Sequence, residues 1–195
     1  MMERVKLDQN KVKGRFIYHF FKRTLDIVAS ACALIILSPL FLVLAILIRH
    51  EDGGPAFYLQ ERIGKDGKPF KMYKFRSMIV NADQLVDQLE DQNEIDGAMF
   101  KIKDDPRITK IGHTIRKYSL DELPQLWNVL IGDMSLVGPR PPLPTEVEEY
   151  TDYDLQRLSV TPGCTGLWQV TKRNDADFDE MVELDLDYIN HSGFF

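Results

Sequence analysis

Between Asp26 and Arg49 the chain carries 22 consecutive residues without a charge: Ile-Val-Ala-Ser-Ala-Cys-Ala-Leu-Ile-Ile-Leu-Ser-Pro-Leu-Phe-Leu-Val-Leu-Ala-Ile-Leu-Ile. A helix that crosses a bilayer needs roughly 20 apolar residues, so the run is long enough. It also lacks the polar face that a surface helix of a soluble protein requires. A secretory leader is a poor fit. Twenty-six residues precede the run, and Arg49-His50-Glu51-Asp52 follows it in place of a small-residue cleavage site. Ser38-Pro39 interrupts the run near its middle. Proline removes one helical hydrogen bond and clashes with the carbonyl four residues back, and the Ser38 hydroxyl can satisfy a group freed there. Lys11, Lys13, Arg15, Lys22 and Arg23 precede the run and Arg49 follows it. A true span therefore puts the N-terminal side inside, and a re-entrant hairpin bent at Ser38-Pro39 keeps both ends on the cytoplasmic side. The residues alone leave both readings open.

Charge is unevenly spread. Residues 1–50 hold eight Lys/Arg against three Asp/Glu, and residues 145–195 hold three against twelve, within a net charge of −6 over 195 residues. The acidic total argues against an ordinary nucleic-acid binder. Cys32 and Cys164 are too few for a disulfide framework, and no Cys/His spacing suggests zinc. The expected organisation is a basic N-terminus with a membrane helix over residues 1–50, then a catalytic domain over 51–195.

Beyond the apolar run, residues 55–76 read as a β-hairpin, with aromatic strands on either side of Gly64-Lys65-Asp66-Gly67-Lys68. Residues 81–92 have helical spacing, and 94–105 read as a loop closed by Asp105-Pro106. Residues 107–117 form a short basic helix with the stripe Ile108, Ile111, Ile115. That stripe fits either a core or a headgroup layer. Ser119-Leu120-Asp121-Glu122 matches a capping box, opening a helix over 119–130. A proline-rich connection covers 132–144, and helical segments follow around 145–160 and 178–190. The fold class expected is α+β, mainly α, with a small β-hairpin and short surface helices.

Asp121-Glu122 is the most suggestive chemical pair. Adjacent helical residues point about 100° apart, so the two carboxylates serve different partners: one attacks or orients a substrate, the other holds a metal. As a bare pair they equally well stabilise a helix start. Arg116, and Arg140 between Pro139 and Pro141, are suited to clamping phosphate, and Lys74 and Arg76 add cations at the end of the hairpin. Neither a Walker loop nor a dinucleotide fingerprint is present.

The ordered set Phe21-Lys22-Arg23-Thr24-Leu25-Asp26, Ser38-Pro39, Gln60-Glu61-Arg62-Ile63-Gly64, Tyr73-Lys74-Phe75-Arg76-Ser77-Met78, Ser119 to Leu130, Gly132 to Pro141 and Pro162 to Val170 resembles the bacterial sugar transferase family, the monotopic phosphoglycosyl transferases. The resemblance implies a re-entrant helix broken at Ser38-Pro39 and a domain on the cytoplasmic face of the bacterial cell membrane. It implies transfer of a hexose-1-phosphate, glucose or galactose, from a UDP-sugar to undecaprenyl phosphate, opening capsule or exopolysaccharide assembly. By position Asp121 is then the nucleophile of a covalent phosphosugar intermediate and Glu122 helps to bind Mg²⁺. Arg140 holds a phosphate with support from Arg116, and Asp185 matches an acidic position near the site. Some relatives are dimers, so a homodimer is an expectation. Relatives usually continue past Tyr188-Ile189 with an aromatic, amphipathic stretch, which makes the C-terminal end a candidate truncation. Two other readings fit the same residues: a membrane hydrolase that releases UMP, and a membrane scaffold.

Overall fold

The computed structural model describes residues 7–8, 12, 14–85, 105–172 and 176–193. Helix α1 (Phe16–Asp52) leads to strands β1 (Phe57–Ile63) and β2 (Pro69–Phe75), then α2 (Lys110–Lys117) and α3 (Gln125–Ile131). Strand β3 (Ser135–Val137), α4 (Pro144–Glu148), β4 (Gly163–Thr165), α5 (Leu167–Thr171) and α6 (Phe178–His191) complete the order. The chain is mainly helical, as expected, and among the described residues a second two-stranded sheet stands beside the expected hairpin. It forms two compact units. One takes in the chain up to Leu34, Glu61–Met72 and the chain from Gln125 on; the other comprises Ile35–Gln60 and Tyr73–Pro124. Helix α1 and the β1–β2 hairpin contribute residues to both.

The helix does not end at the proline. Pro39 lies inside α1, and the helical assignment continues on both sides of Ser38-Pro39. The reason is local: Pro39 cannot donate to the Ile35 carbonyl, and the Ser38 Oγ donates to that same oxygen at 2.8 Å. Within the second unit one stripe of α1 is protein-facing. Leu40, Phe41, Leu44, Ala45 and Ile48 pack with Phe75 of β2 and Ile111 and Ile115 of α2. The opposite positions, Leu42, Val43, Ile46 and Leu47, are exposed, and Ile35 and Ile36 are 74% and 75% exposed. Apolar surface of that extent, on a helix long enough to cross a membrane, makes the chain compatible with membrane association.

The hairpin is antiparallel. Gly64 N donates to Lys68 O at 2.8 Å, and Arg76 N donates to Ala56 O at 2.9 Å, two pairs in one register. Residues 82–85 form a 3₁₀ turn where a longer helix is expected; the rest of that helix and nearly all of the expected 94–105 loop lie outside the described residues. Helix α2 starts at Lys110 rather than at residue 107, because Arg107 is buried in a bidentate pair with Asp105. Thr109 Oγ1 caps the helix by accepting from Gly112 N at 2.9 Å. The Glu51 carboxylate accepts from Lys110 N at 2.8 Å and Ile111 N at 3.2 Å, so two more free amides at this helix start find an anion.

In the first unit, β3 pairs in parallel with β4, Ser135 opposite Gly163 and Val137 opposite Thr165. The proline-rich connection and the glycine-rich turn at 161–166 gave no sign of this pairing. The expected helical stretch 145–160 is two pieces, α4 and a 3₁₀ turn over Asp154–Ser159. Helix α6 matches its expected range closely, and Val182, Leu186 and Ile189 on its inner face pack with Val12.

Candidate active site

The second unit holds a cleft of about 250 Å³ lined by Lys74, Arg76, Arg116 and Asp121 together with Tyr58 and Met78. The four charged residues arrive from three pieces of chain. Lys74 lies on β2 and Arg76 just beyond it. Arg116 is in the last turn of α2, whose approach depends on Gly112: a Cβ there would stand 2.0 Å from Ser77 O. Asp121 follows in a 3₁₀ turn, Leu120–Glu122.

The capping box expected at Ser119 does not form. Ser119 has φ 54°, in the left-handed region, and its side chain caps nothing in this turn. Glu122 N instead donates to Ser119 O at 3.3 Å. A non-glycine residue held there costs about 1 kcal/mol, and such strain gathers at functional turns. Successive residues of a 3₁₀ turn diverge by about 120°, which separates the two carboxylates. Asp121 is half-buried and lines the cleft. Glu122 is exposed and accepts from Lys74 Nζ at 3.1 Å. Burial pushes the Asp121 carboxyl above its ordinary 3.8, Glu122 pushes it further, and Lys74 and Arg116 pull it back.

Arg76 is not a free cation. It forms a bidentate pair with Asp52, with both contacts at 2.5 Å, and donates to Pro55 O at 2.6 Å and Met78 O at 2.9 Å. It forms a wall of the cleft and is spent on holding the end of α1. Asp52 was not singled out in the sequence, where it reads only as the acidic end of the apolar run.

Arg140 and Asp185 belong to the first unit. Arg140 is exposed on the segment after β3. Asp185, on α6, has 0% exposure and is held by Arg157, itself 5% exposed, which also donates to Tyr150 Oη at 2.9 Å. Burial pushes the Asp185 carboxyl up to about 6 against the pull of Arg157. Its Oδ1 has no hydrogen-bond partner among the described residues. Nothing in the sequence marks Arg157, whose partner stands 28 residues away. This unit also has a larger cavity, of about 580 Å³, lined by Lys22, Asp26, Ser135 and Tyr188 among others and by none of the expected site residues.

Among the described residues no cluster of three or more His, Cys, Asp or Glu side chains gathers as a metal site. Mg²⁺, however, is commonly held by one or two carboxylates plus substrate phosphate oxygens and water. Glu122 is an exposed carboxylate beside Asp121, and that donor set fits such a partial site.

Comparison with known proteins agrees with the sequence motifs. The family model described as bacterial sugar transferase matches residues 17–195. The galactosyl transferase CpsE of Streptococcus agalactiae serotype III is 54% identical over 170 residues, 87% of this chain and 38% of CpsE. The undecaprenyl-phosphate galactose phosphotransferase of Salmonella typhimurium is 48% identical over 195 residues, 98% of this chain and 40% of that protein. The exopolysaccharide production protein ExoY of Rhizobium meliloti is 42% identical over 178 residues, 89% of this chain and 79% of ExoY. The chain belongs to the bacterial sugar transferase family. It spans about two fifths of the length of CpsE and of the Salmonella protein.

Proposed function

We propose that this chain transfers a hexose-1-phosphate from a UDP-sugar to undecaprenyl phosphate, at the cytoplasmic face of the bacterial cell membrane, as the opening step of exopolysaccharide or capsule assembly. The observation that carries this reading is the Asp121 carboxylate, half-buried in a cleft with Lys74 and Arg116 while its neighbour Glu122 takes the ion pair. Family membership and the names of the relatives support the reaction class. Galactose is the first donor to test, because CpsE and the Salmonella protein carry it in their names.

In the first step an Asp121 carboxylate oxygen attacks the phosphorus that bears the sugar. The new bond is Asp121 O–P, the phosphoanhydride P–O bond breaks, and UMP leaves with the electron pair. In the second step a phosphate oxygen of undecaprenyl phosphate attacks the same phosphorus, which releases the Asp121 carboxylate and gives undecaprenyl-diphospho-sugar. Lys74 and Arg116 offset the charge on the transferring group, and Arg140 is assigned to the acceptor phosphate. Glu122, freed from Lys74, would hold Mg²⁺, which when bound neutralises the diphosphate of the donor. Helix α1 is assigned to a re-entrant insertion that keeps both of its ends on one side. Asp185, sealed against Arg157, supports the fold rather than touching substrate.

The test is UMP release in nanodiscs with Mg²⁺, undecaprenyl phosphate and a panel of UDP-sugars, beside Asp121→Asn. Exchange of labelled UMP into the UDP-sugar without acceptor is expected from a covalent intermediate and not from direct displacement. Release that persists without acceptor at the full rate points to the hydrolase. Full turnover by Asp121→Asn refutes the assignment.

A further inference from the structure

Asp26 is the last charged residue before the 22-residue apolar run, and it is 4% exposed. A buried carboxylate in mid-helix needs compensation, and here it comes from one place. Asp26 Oδ2 accepts from Ser135 Oγ at 2.7 Å, and Oδ1 accepts from Leu136 N at 3.0 Å. Lys22, one turn earlier, donates to Ser135 Oγ and stands 3.6 Å from Asp26 Oδ2. The hydroxyl thus passes a hydrogen bond from cation to anion. Arg23 donates to the Val129 and Leu130 carbonyls at 2.6 and 2.8 Å, satisfying the end of α3. Three charged residues of α1, Lys22, Arg23 and Asp26, are therefore spent on tying the helix to the end of α3 and the segment that leads into β3.

That segment has little freedom. Gly138 N donates to Thr165 O at 2.9 Å, Gly163 N donates to Pro139 O at 2.8 Å, and Tyr188 Oη donates to Val137 O at 3.0 Å. A Cβ on Gly163 would stand 2.1 Å from Gly138 N, so the two backbones touch. Beyond Arg140, Pro141 O accepts from Arg62 at 3.0 Å and Pro142 O from Ile63 N at 2.9 Å. Arg140 is exposed on a strap pinned on both sides, and the strap is bolted to the residue where the apolar run begins.

We propose that Asp26 is a positioning residue that sets the depth of Arg140 against the membrane surface. The latch ties placement of a phosphate-binding arginine to the start of the apolar run, just after Asp26. A shift of about 1 Å in a positioned group is enough to cost a large factor in rate. The kinetic part of this proposal rests on the assignment of Arg140 to the acceptor phosphate; the latch itself does not.

Two arms test it. In nanodiscs, Asp26→Ala is expected to raise KM for undecaprenyl phosphate about tenfold and leave KM for the nucleotide sugar within about twofold, and Asp26→Asn, which still accepts from Leu136 N, is expected to restore most of the loss. Ser135→Ala, a milder cut of the same latch, should move the same KM by about threefold. Equal changes in both KM values without rescue by asparagine would mean a merely structural role and overturn the proposal. The second arm needs no turnover. A fluorophore at Arg140→Cys, in a Cys32→Ser, Cys164→Ala background, is read by depth-dependent quenching from spin-labelled lipids. The depth is expected to shift with Asp26→Ala and hold with Asp26→Asn. An unchanged depth overturns the latch. A shifted depth, where the unlabelled chain that keeps Arg140 transfers nothing from any UDP-sugar, keeps the latch and removes the transferase reading.

Discussion

Asp121 and Asp185 are the same residue type and are shifted the same way by burial, yet they stand in opposite surroundings. Asp185 is sealed, and its one fixed partner is the equally buried Arg157. Asp121 is half-buried at an open cleft, with Lys74 and Arg116 acting on it as nearby charges. A sealed carboxylate with a dedicated arginine holds helices together. A carboxylate kept partly dry and short of partners retains free energy to spend on a substrate. The difference lies in access and in pairing, not in the direction of the shift.

The largest expected effect breaks the comparison on the Asp121 side. Asp121→Asn should lower turnover by roughly three orders of magnitude or more, with the melting temperature unchanged or raised, because the variant removes a charge that burial disfavours. Thermal melting beside UMP release checks both halves, and a lowered melting temperature would place Asp121 with the structural carboxylates. Arg157→Ala should do the reverse: it leaves Asp185 buried and uncompensated and should cost about 3–5 kcal/mol of stability, measured by denaturant unfolding.

The pH dependence sharpens the contrast. The folded state holds the Asp185 proton up to about 6, against 3.8 unfolded. Its burial therefore favours the fold most below 3.8, and this contribution is lost as pH rises from 3.8 to about 6. Asp185→Asn should flatten the stability profile over that window, which unfolding at a series of pH values will show. Asp121 should instead appear in the rate: the acid limb of turnover should lie above the ordinary carboxylate value of 3.8, since only the ionised form attacks. The smallest effect is expected from Lys74→Met. It removes a charge that pulls the Asp121 carboxyl down, so the acid limb should move to higher pH with about a tenfold loss of rate. A limb that stays in place would show that Lys74 serves Glu122 alone.

Much of the local structure was legible. The hairpin followed from two aromatic strands around a Gly-Lys-Asp-Gly turn, and α6 lies where a helical segment around 178–190 is expected. Asp121-Glu122, Lys74 and Arg116 were picked out by type and do meet around one cleft or at its edge. The capping box at Ser119 misled because Pro124 lies too close behind it: the chain makes a 3₁₀ turn first and starts α3 only at Gln125. At Pro39 the Ser38 hydroxyl takes over the bond to the Ile35 carbonyl that the proline cannot make. The parallel β3–β4 pair was hidden because strands of three residues have no period to read.

The uncharged run, its single proline, the charge asymmetry and the ordered motifs were decided by the sequence itself, because composition and short spacing suffice to set membrane compatibility and to mark a family. Which charged side chains are free was decided by the tertiary structure alone. Arg76 is consumed by Asp52, 24 residues away, Asp185 by Arg157, 28 away, and Asp26 by Ser135, 109 away. An ion pair depends on distance and burial, and neither is defined until the chain has closed its loops around a core.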